Sequence, residues 1–310
     1  MSYTVPRSSD VLVLGGGGVL GEAWMNALLA GLEEGGRFDP RGFGLYLGTS
    51  AGSIVAAALV AGIKPATWLG NPGEQLLRSE RTDVSRSPLR LSFEAAKSAG
   101  GMLAAPIASL ALPLAAPGGA LLRRAALSAL PAGRRSLAGL GEAVERSGVR
   151  WDGRLQVAAV QRESGRRVMF GAPGSRDLLV SVAVQASCAI PGFFAPVRCG
   201  AHTYVDGGVW SPTNMDAAEV QPGQAVLCLN PTGSLRPAVG SVAGAFGPVS
   251  RAVVAAEALA LRHRGAIVTT INPDKRVAAL LGTNLMDHRR RAAVIEAGLA
   301  QGRALAAAPL

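Results

Sequence analysis

The feature that most constrains this fold is a local pattern that occurs twice within the first 62 residues. A short apolar run meets a glycine-rich turn, and a helical stretch follows. The first copy is "VLVLGGGGVLG" at residues 11–21, and the second is "FGLYLGTSAGS" at 43–53. Val11, Leu12, Val13 and Leu14 form a continuous apolar run bounded by glycine. That suits a strand buried on both faces of a parallel sheet. From Gly21 to about Glu34 apolar residues recur at near-helical spacing, and Gly35-Gly36 ends the run. Residues 43–48 read as a second strand, and 50–62 as a buried helix closed by Gly62 and Pro65. Strand, helix, strand, helix implies right-handed crossovers. The expected fold is a three-layer α/β/α sandwich with a mainly parallel central sheet. Further strands are expected at 154–160, 167–170, 203–205, 225–229 and 266–271, and a long terminal helix at 284–306.

The 310 residues, 49% hydrophobic, suffice for one large α/β domain. The expected organisation is a single domain over residues 1–310 with a helical cap inserted at about 71–150. No charged side chain lies between Lys97 and Arg123, but Pro106, Pro113, Pro117 and Gly118-Gly119 interrupt that stretch. Two short helices capping the core fit it better than a membrane span; the remaining reading is an interfacial element, with Arg123, Arg124, Arg134 and Arg135 available to anionic headgroups. The net charge is +10, carried almost wholly by arginine. Such a surface attracts nucleic acid or anionic lipid equally well, or marks no more than a soluble basic protein; peripheral association with an anionic membrane is one expectation it allows. Aromatic residues are only 5% and no basic run is interleaved with them, so no nucleic-acid partner is expected. Cys188, Cys199 and Cys228 are too few and scattered for a disulfide framework, and no spacing suggests a metal site or other cofactor. The polar N-terminal ten residues lack the layout of a signal peptide. The expected location is cytoplasmic, at most peripheral at the inner membrane face.

The two glycine turns admit different chemistries. Gly16, Gly18 and Gly21 satisfy G-x-G-x-x-G between a strand and a helix, as a dinucleotide site requires. That reading also wants an acidic residue at the end of the second strand. Glu33, Glu34 and Asp39 all fall before it. The second strand ends instead in Gly48-Thr49-Ser50-Ala51-Gly52, a G-x-S-x-G nucleophile elbow. There Gly48 and Gly52 supply the small neighbours a strained turn demands, and Ser50 stands at a helix N-terminus. Gly16, Gly17 and Gly18 would then offer bare backbone N–H groups to an oxyanion. Three readings remain: an acyl hydrolase, a nucleotide-binding oxidoreductase and a non-catalytic, membrane-associating protein.

A serine nucleophile needs a base. His263 and His288 stand in arginine-rich helical settings that oppose imidazolium formation, and His202 falls in a hairpin turn. Asp206, released by Gly207-Gly208, is on its own an ordinary turn residue.

Together these blocks resemble the patatin-like phospholipase family. "GGGGVLG" (15–21) is similar to its oxyanion motif, "GTSAGS" (48–53) to its nucleophile elbow and "DGG" (206–208) to its aspartate motif. "ASCAIPGFFAPV" (186–197) and "SPTN", ending at Asn214, resemble the stretches flanking that aspartate. The likeness covers 10–70 and 180–230 well. It implies a Ser50–Asp206 dyad without histidine, an oxyanion hole from Gly16, Gly17 and Gly18, a lipid ester substrate and no cofactor. One departure is Leu20, where the family often carries Arg or Lys.

Overall fold

The computed structural model describes residues 10–36, 38–69, 119–175, 178–235 and 246–307. Its eight-stranded sheet runs β5-β6-β3-β2-β1-β7-β8, with β4 paired to β3 off this path. The strands are β1 (Val11–Leu14), β2 (Leu45–Thr49), β3 (Leu155–Gln161), β4 (Arg166–Phe170), β5 (Val197–Cys199), β6 (His202–Asp206), β7 (Ala225–Leu229) and β8 (Ile267–Ile271). The helices are α1 (Gly18–Glu34), α2 (Ala51–Val60), α3 (Pro65–Leu69), α4 (Ala120–Ala129), α5 (Ala138–Arg146), α6 (Val180–Cys188), α7 (Phe246–His263), α8 (Lys275–Leu281) and α9 (Arg291–Ala307). Strands β3, β2, β1, β7 and β8 pair in parallel, whereas β4, β5 and β6 join in antiparallel.

Strand alternation divides the core. Leu12, Leu14 and Tyr46 pack with Trp24, Leu28, Val55 and Val184 of α1, α2 and α6. Val11, Val13 and Leu47 point the other way, toward Val254 and Leu261 of α7. Every residue of β1 is 0% exposed. A strand covered on both sides can be apolar throughout, which is why this run is uninterrupted. The fold is therefore the mainly parallel, layered α/β arrangement expected.

The register of β3 positions everything that follows. Both β4 and β6 pair with residues 159–161, so they occupy opposite edges. β2 overlaps β4 at Val157 and Ala158, so it shares β6's edge. Along that edge β6 takes over where β2 stops: Thr49 lies opposite Ala158 and Asp206 opposite Ala159. Two segments more than 150 residues apart thus end side by side.

The observed elements depart from expectation in specific places. α1 starts at Gly18 because the Gly21 N–H already bonds the Gly17 carbonyl, at 2.8 Å. The terminal helix begins at Arg291, not 284. The side chains of Asn284 and Asp287 accept the Met286 and Arg289 N–H groups, a local alternative to helix. β5 was not foreseen; three residues leave no periodic signal. His202 is the first residue of β6 rather than part of the turn, and its Nδ1 pairs with Gln161 Nε2 at 2.8 Å. Most of the stretch 98–122, and 71–118 of the expected cap, lie outside the described residues. The described part of the cap region carries α4 and α5. No helix among the described residues is long and apolar enough to cross a membrane.

Arg123 overturns one expectation. It is 0% exposed and unavailable to headgroups. Its guanidinium lies 3.8 Å from the Trp210 ring centroid and its Nε donates to the Gly165 carbonyl. Burial draws its pKa down to about 10, with the nearby Arg167 charge adding to the effect.

Candidate active site

The elbow is built by close approach of β2 to α2. A Cβ on Gly52 would lie 1.9 Å from the Leu14 carbonyl oxygen, and one on Gly48 would lie 2.5 Å from the Ser53 Cα. Neither collision can be relieved without moving β1 or α2, so both positions require glycine. Between them Ser50 takes φ 52° and ψ −124°. A non-glycine residue held there costs on the order of 1–3 kcal/mol, so the surroundings must enforce it. They do so from both sides. The Ser50 carbonyl accepts the Ser53 N–H at 2.8 Å and the Ser53 hydroxyl at 2.7 Å. The Ser50 N–H donates to Ser187 Oγ at 2.8 Å, and Ser187 donates on to the Ala158 carbonyl at 2.6 Å.

This geometry turns the Ser50 side chain toward the end of β6. Its hydroxyl donates to Asp206 Oδ2 at 2.7 Å, while the Gly208 N–H donates to Oδ1, also at 2.7 Å. Both side chains are buried. Burial raises the Asp206 pKa from the ordinary 3.8 to about 6, against the two hydrogen bonds, which favour the carboxylate. Asp206 is thus ionised at neutral pH yet a far stronger base than an exposed aspartate. The three histidines make no hydrogen bond to either residue. His263 and His288 lie in separate exposed or peripheral settings on α7 and beside α9.

The glycine loop lies beside this pair. A Cβ built on Gly16 would sit 3.4 Å from the Ser50 Cβ. Its N–H, however, donates to the Pro212 carbonyl at 2.8 Å, so Gly16 serves to anchor the loop. Gly17 and Gly18 make no backbone N–H bond among the described residues, and Gly18 holds φ +58°. Leu20 is fully buried in the main core, so no cation occupies that position.

Sequence reasoning assigned no role to several groups that hold the pair together. Asn214 adopts φ 52°, a left-handed conformation that asparagine tolerates. Its Nδ2 donates to Thr49 Oγ1, the Gly207 carbonyl and the Ser211 carbonyl at 3.1, 3.2 and 2.9 Å. One side chain therefore ties the residue before Ser50 to the residue after Asp206. Thr49 reinforces the tie by donating to the Thr213 carbonyl. Behind this loop the buried Glu257 accepts the Thr213 hydroxyl and the Met215 N–H. Burial and the neighbouring Asp216 charge raise its pKa to about 7. Ser187 sits within a quoted stretch, but nothing in an apolar run marks which small polar residue will reach a distant backbone N–H.

Cys188 is the thiol nearest the elbow, 3.9 Å from the Ser53 hydroxyl. Burial, and then the Asp206 charge, push its pKa up, so it remains a neutral thiol and no rival nucleophile. The acidic residues a ribose would need are engaged elsewhere: Glu33 and Asp39 pair with Arg41, and Glu34 with Arg303.

A model of the patatin-like phospholipase family matches residues 12–219. No curated protein matches the chain. Among solved structures it is similar to VipD from Legionella pneumophila, at 13% identity and TM-score 0.41, covering 97% of this chain and 67% of that one. It is also similar to the ExoU–SpcU complex from the type III secretion system of Pseudomonas aeruginosa, at 23% identity and TM-score 0.33. That match covers 96% of this chain and 53% of the other, so this chain spans about half its length.

Proposed function

This chain belongs to the patatin-like phospholipase family; from that premise we propose that it is a lipid acyl hydrolase that cleaves carboxylic esters through a Ser50–Asp206 dyad. One observation carries the reading: a buried serine in a strained elbow donates a 2.7 Å hydrogen bond to a buried carboxylate whose pKa is raised to about 6. The residues follow the order that chemistry needs.

In the first half-reaction Ser50 Oγ attacks the ester carbonyl carbon as Asp206 Oδ2 takes the hydroxyl proton. Negative charge collects on the former carbonyl oxygen, where the Gly17 and Gly18 N–H groups and the positive end of α2 oppose it. Collapse of this intermediate breaks the carbon–oxygen bond to the alcohol, which leaves with the proton held by Asp206. An acyl ester on Ser50 remains. Water then attacks it, giving its proton to Asp206, and the fatty acid departs as Ser50 recovers its proton. No histidine takes part. Gly48 and Gly52 shape the elbow, and Gly207 and Gly208 shape the aspartate turn. We read the chain as one hydrolase domain, with residues of about 71–150 as an insertion.

The test is a panel of phospholipid, lysophospholipid and short-chain esters, combined with fluorophosphonate labelling. The expected result is ester turnover and a single label on Ser50, both abolished in Ser50→Ala. Equal turnover or labelling in that variant would overturn the reading.

A further inference from the structure

α4 is built inside out. Its inward face carries Arg123, packed on Trp210, and Leu127. Its outward face carries Leu121 and Leu122, 73% and 60% exposed, with Ala125, Ser128 and Ala129 also exposed. A single exposed leucine needs no explanation. Two adjacent ones on a helix that buries a guanidinium instead do, because exchanging the faces would suit water better.

The charge around this face has one sign. Residues 119–141 contain four arginines and no aspartate or glutamate. Arg124 and Arg134 are exposed, and Arg135 is half-buried. Glu163, in the β3–β4 turn whose Gly165 carbonyl accepts from Arg123, itself accepts the Thr203 N–H.

The same strip leads to the candidate active site. After α4, residues 130–135 run alongside the loop between α6 and β5. Leu130 and Pro131 face Pro191 and Gly192 across a small cleft. The Arg135 carbonyl accepts the Ala195 N–H at 2.9 Å, and its guanidinium lies 4.3 Å from the Phe193 ring centroid. That loop starts at Ala189, whose carbonyl accepts the Asp206 N–H at 3.0 Å. Residues 130–135 thus join α4 along the chain to the loop that carries the partly exposed Ile190 and Phe193 and that begins at the backbone partner of Asp206.

We infer that the outward face of α4, with residues 130–135, is the surface on which the protein rests against an anionic lipid bilayer. The inference rests on the lipid hydrolase reading and adds where the lipid is met. Leu121 and Leu122 enter the acyl boundary, Arg124 and Arg134 lie at the headgroups, and the loop bearing Phe193 is brought to the same plane.

The test is sedimentation of the full chain with phosphatidylcholine vesicles, with and without phosphatidylglycerol. The Ser50→Ala background keeps hydrolysis from consuming them. The parent is expected to pellet preferentially with anionic vesicles. Leu121→Ser/Leu122→Ser is expected to weaken that binding at least about tenfold. Arg124→Ser/Arg134→Ser is expected to lose the preference for anionic vesicles. With Ser50 restored, both variants should turn over soluble p-nitrophenyl butyrate like wild type, since none of the four side chains touches the dyad. A parent that stays in solution, a leucine variant that pellets undiminished, or an arginine variant that keeps its preference would each overturn the inference. Failure of the hydrolase reading looks different: no Ser50-dependent turnover, whatever the vesicles do.

Discussion

At the dyad, Thr49, Ser50, Ser187 and Asn214 are each at most 8% exposed, and each donates at least one hydrogen bond. On α4, two leucines are exposed while Arg123 lies within, its Nη1 and Nη2 atoms buried without hydrogen-bond partners among the described residues. The first region buries polar groups whose side-chain donors find acceptors, although the buried Asn214 Oδ1 has no partner among the described residues, an arrangement suited to holding two reacting groups in place. The second leaves apolar surface uncovered by the described residues and buries a guanidinium held by the Trp210 ring and the Gly165 carbonyl, with two of its three nitrogens unpartnered there. The contrast separates where chemistry is held from where a surface is offered.

The largest effects should come from breaking the dyad. Ser50→Ala and Asp206→Asn are each expected to lower turnover by about 10³-fold or more, with the double variant little worse than either single one. Parallel steady-state assays of all three check this. Asp206→Asn should also separate activity from stability. Because burial raises the Asp206 pKa from 3.8 to about 6, the folded chain binds its proton more tightly than the unfolded chain. This group therefore favours folding most below pH about 4 and loses that advantage as pH rises through about 6. At pH 8 the asparagine variant is expected to melt no lower than wild type; a clear drop in its melting temperature would count against that sign.

Asn214→Gly preserves the left-handed backbone and removes only the side chain. Loss of the tie between Thr49 and Gly207 is expected to cost about 1–3 kcal/mol of stability and about 10–100-fold in kcat. KM for a small ester should change little. If stability falls but kcat holds, Asn214 supports the loop without positioning the dyad. The pH dependence is gentler. Acylation needs the carboxylate, so kcat/KM should fall tenfold per unit below pH about 6 and level off above it. A profile flat down to pH 4 would remove Asp206 from the base role.

The smallest effects belong to α4. Arg123→Met keeps the stacked shape and removes the unpaired charge, so stability is expected to stay level or rise. Leu121→Ser should move stability by no more than about 0.5 kcal/mol, as for other exposed positions. Chemical denaturation measures both, and a large loss in either would mean that α4 is held by contacts beyond those described.

Both glycine turns were legible because their constraints are local. A four-residue apolar run bounded by glycine suits a buried strand rather than a longer helix, and a G-x-S-x-G between strand and helix tolerates no larger neighbours. The motif order also carried the family resemblance. Gly16 illustrates the limit. Its position in the loop was readable, but its N–H bonds Pro212, nearly 200 residues away, so it is not the open donor expected. Arg123 illustrates another. Nothing in a run of alanines, leucines and arginines tells which arginine will find a tryptophan to lie on.

What the chain's own letters determined were the segments whose shape follows from nearest neighbours: the elbow, the glycine loop, the aspartate turn and most strands. Tertiary structure alone decided that β6 continues along the edge of β3 where β2 leaves off, bringing Asp206 to Ser50. It likewise decided that Ser187 and Asn214 hold the two together. The physical reason is range. Backbone strain and side-chain bulk act over a few residues and leave a mark in the sequence, whereas strand pairing and buried hydrogen bonds join groups whose separation along the chain is arbitrary.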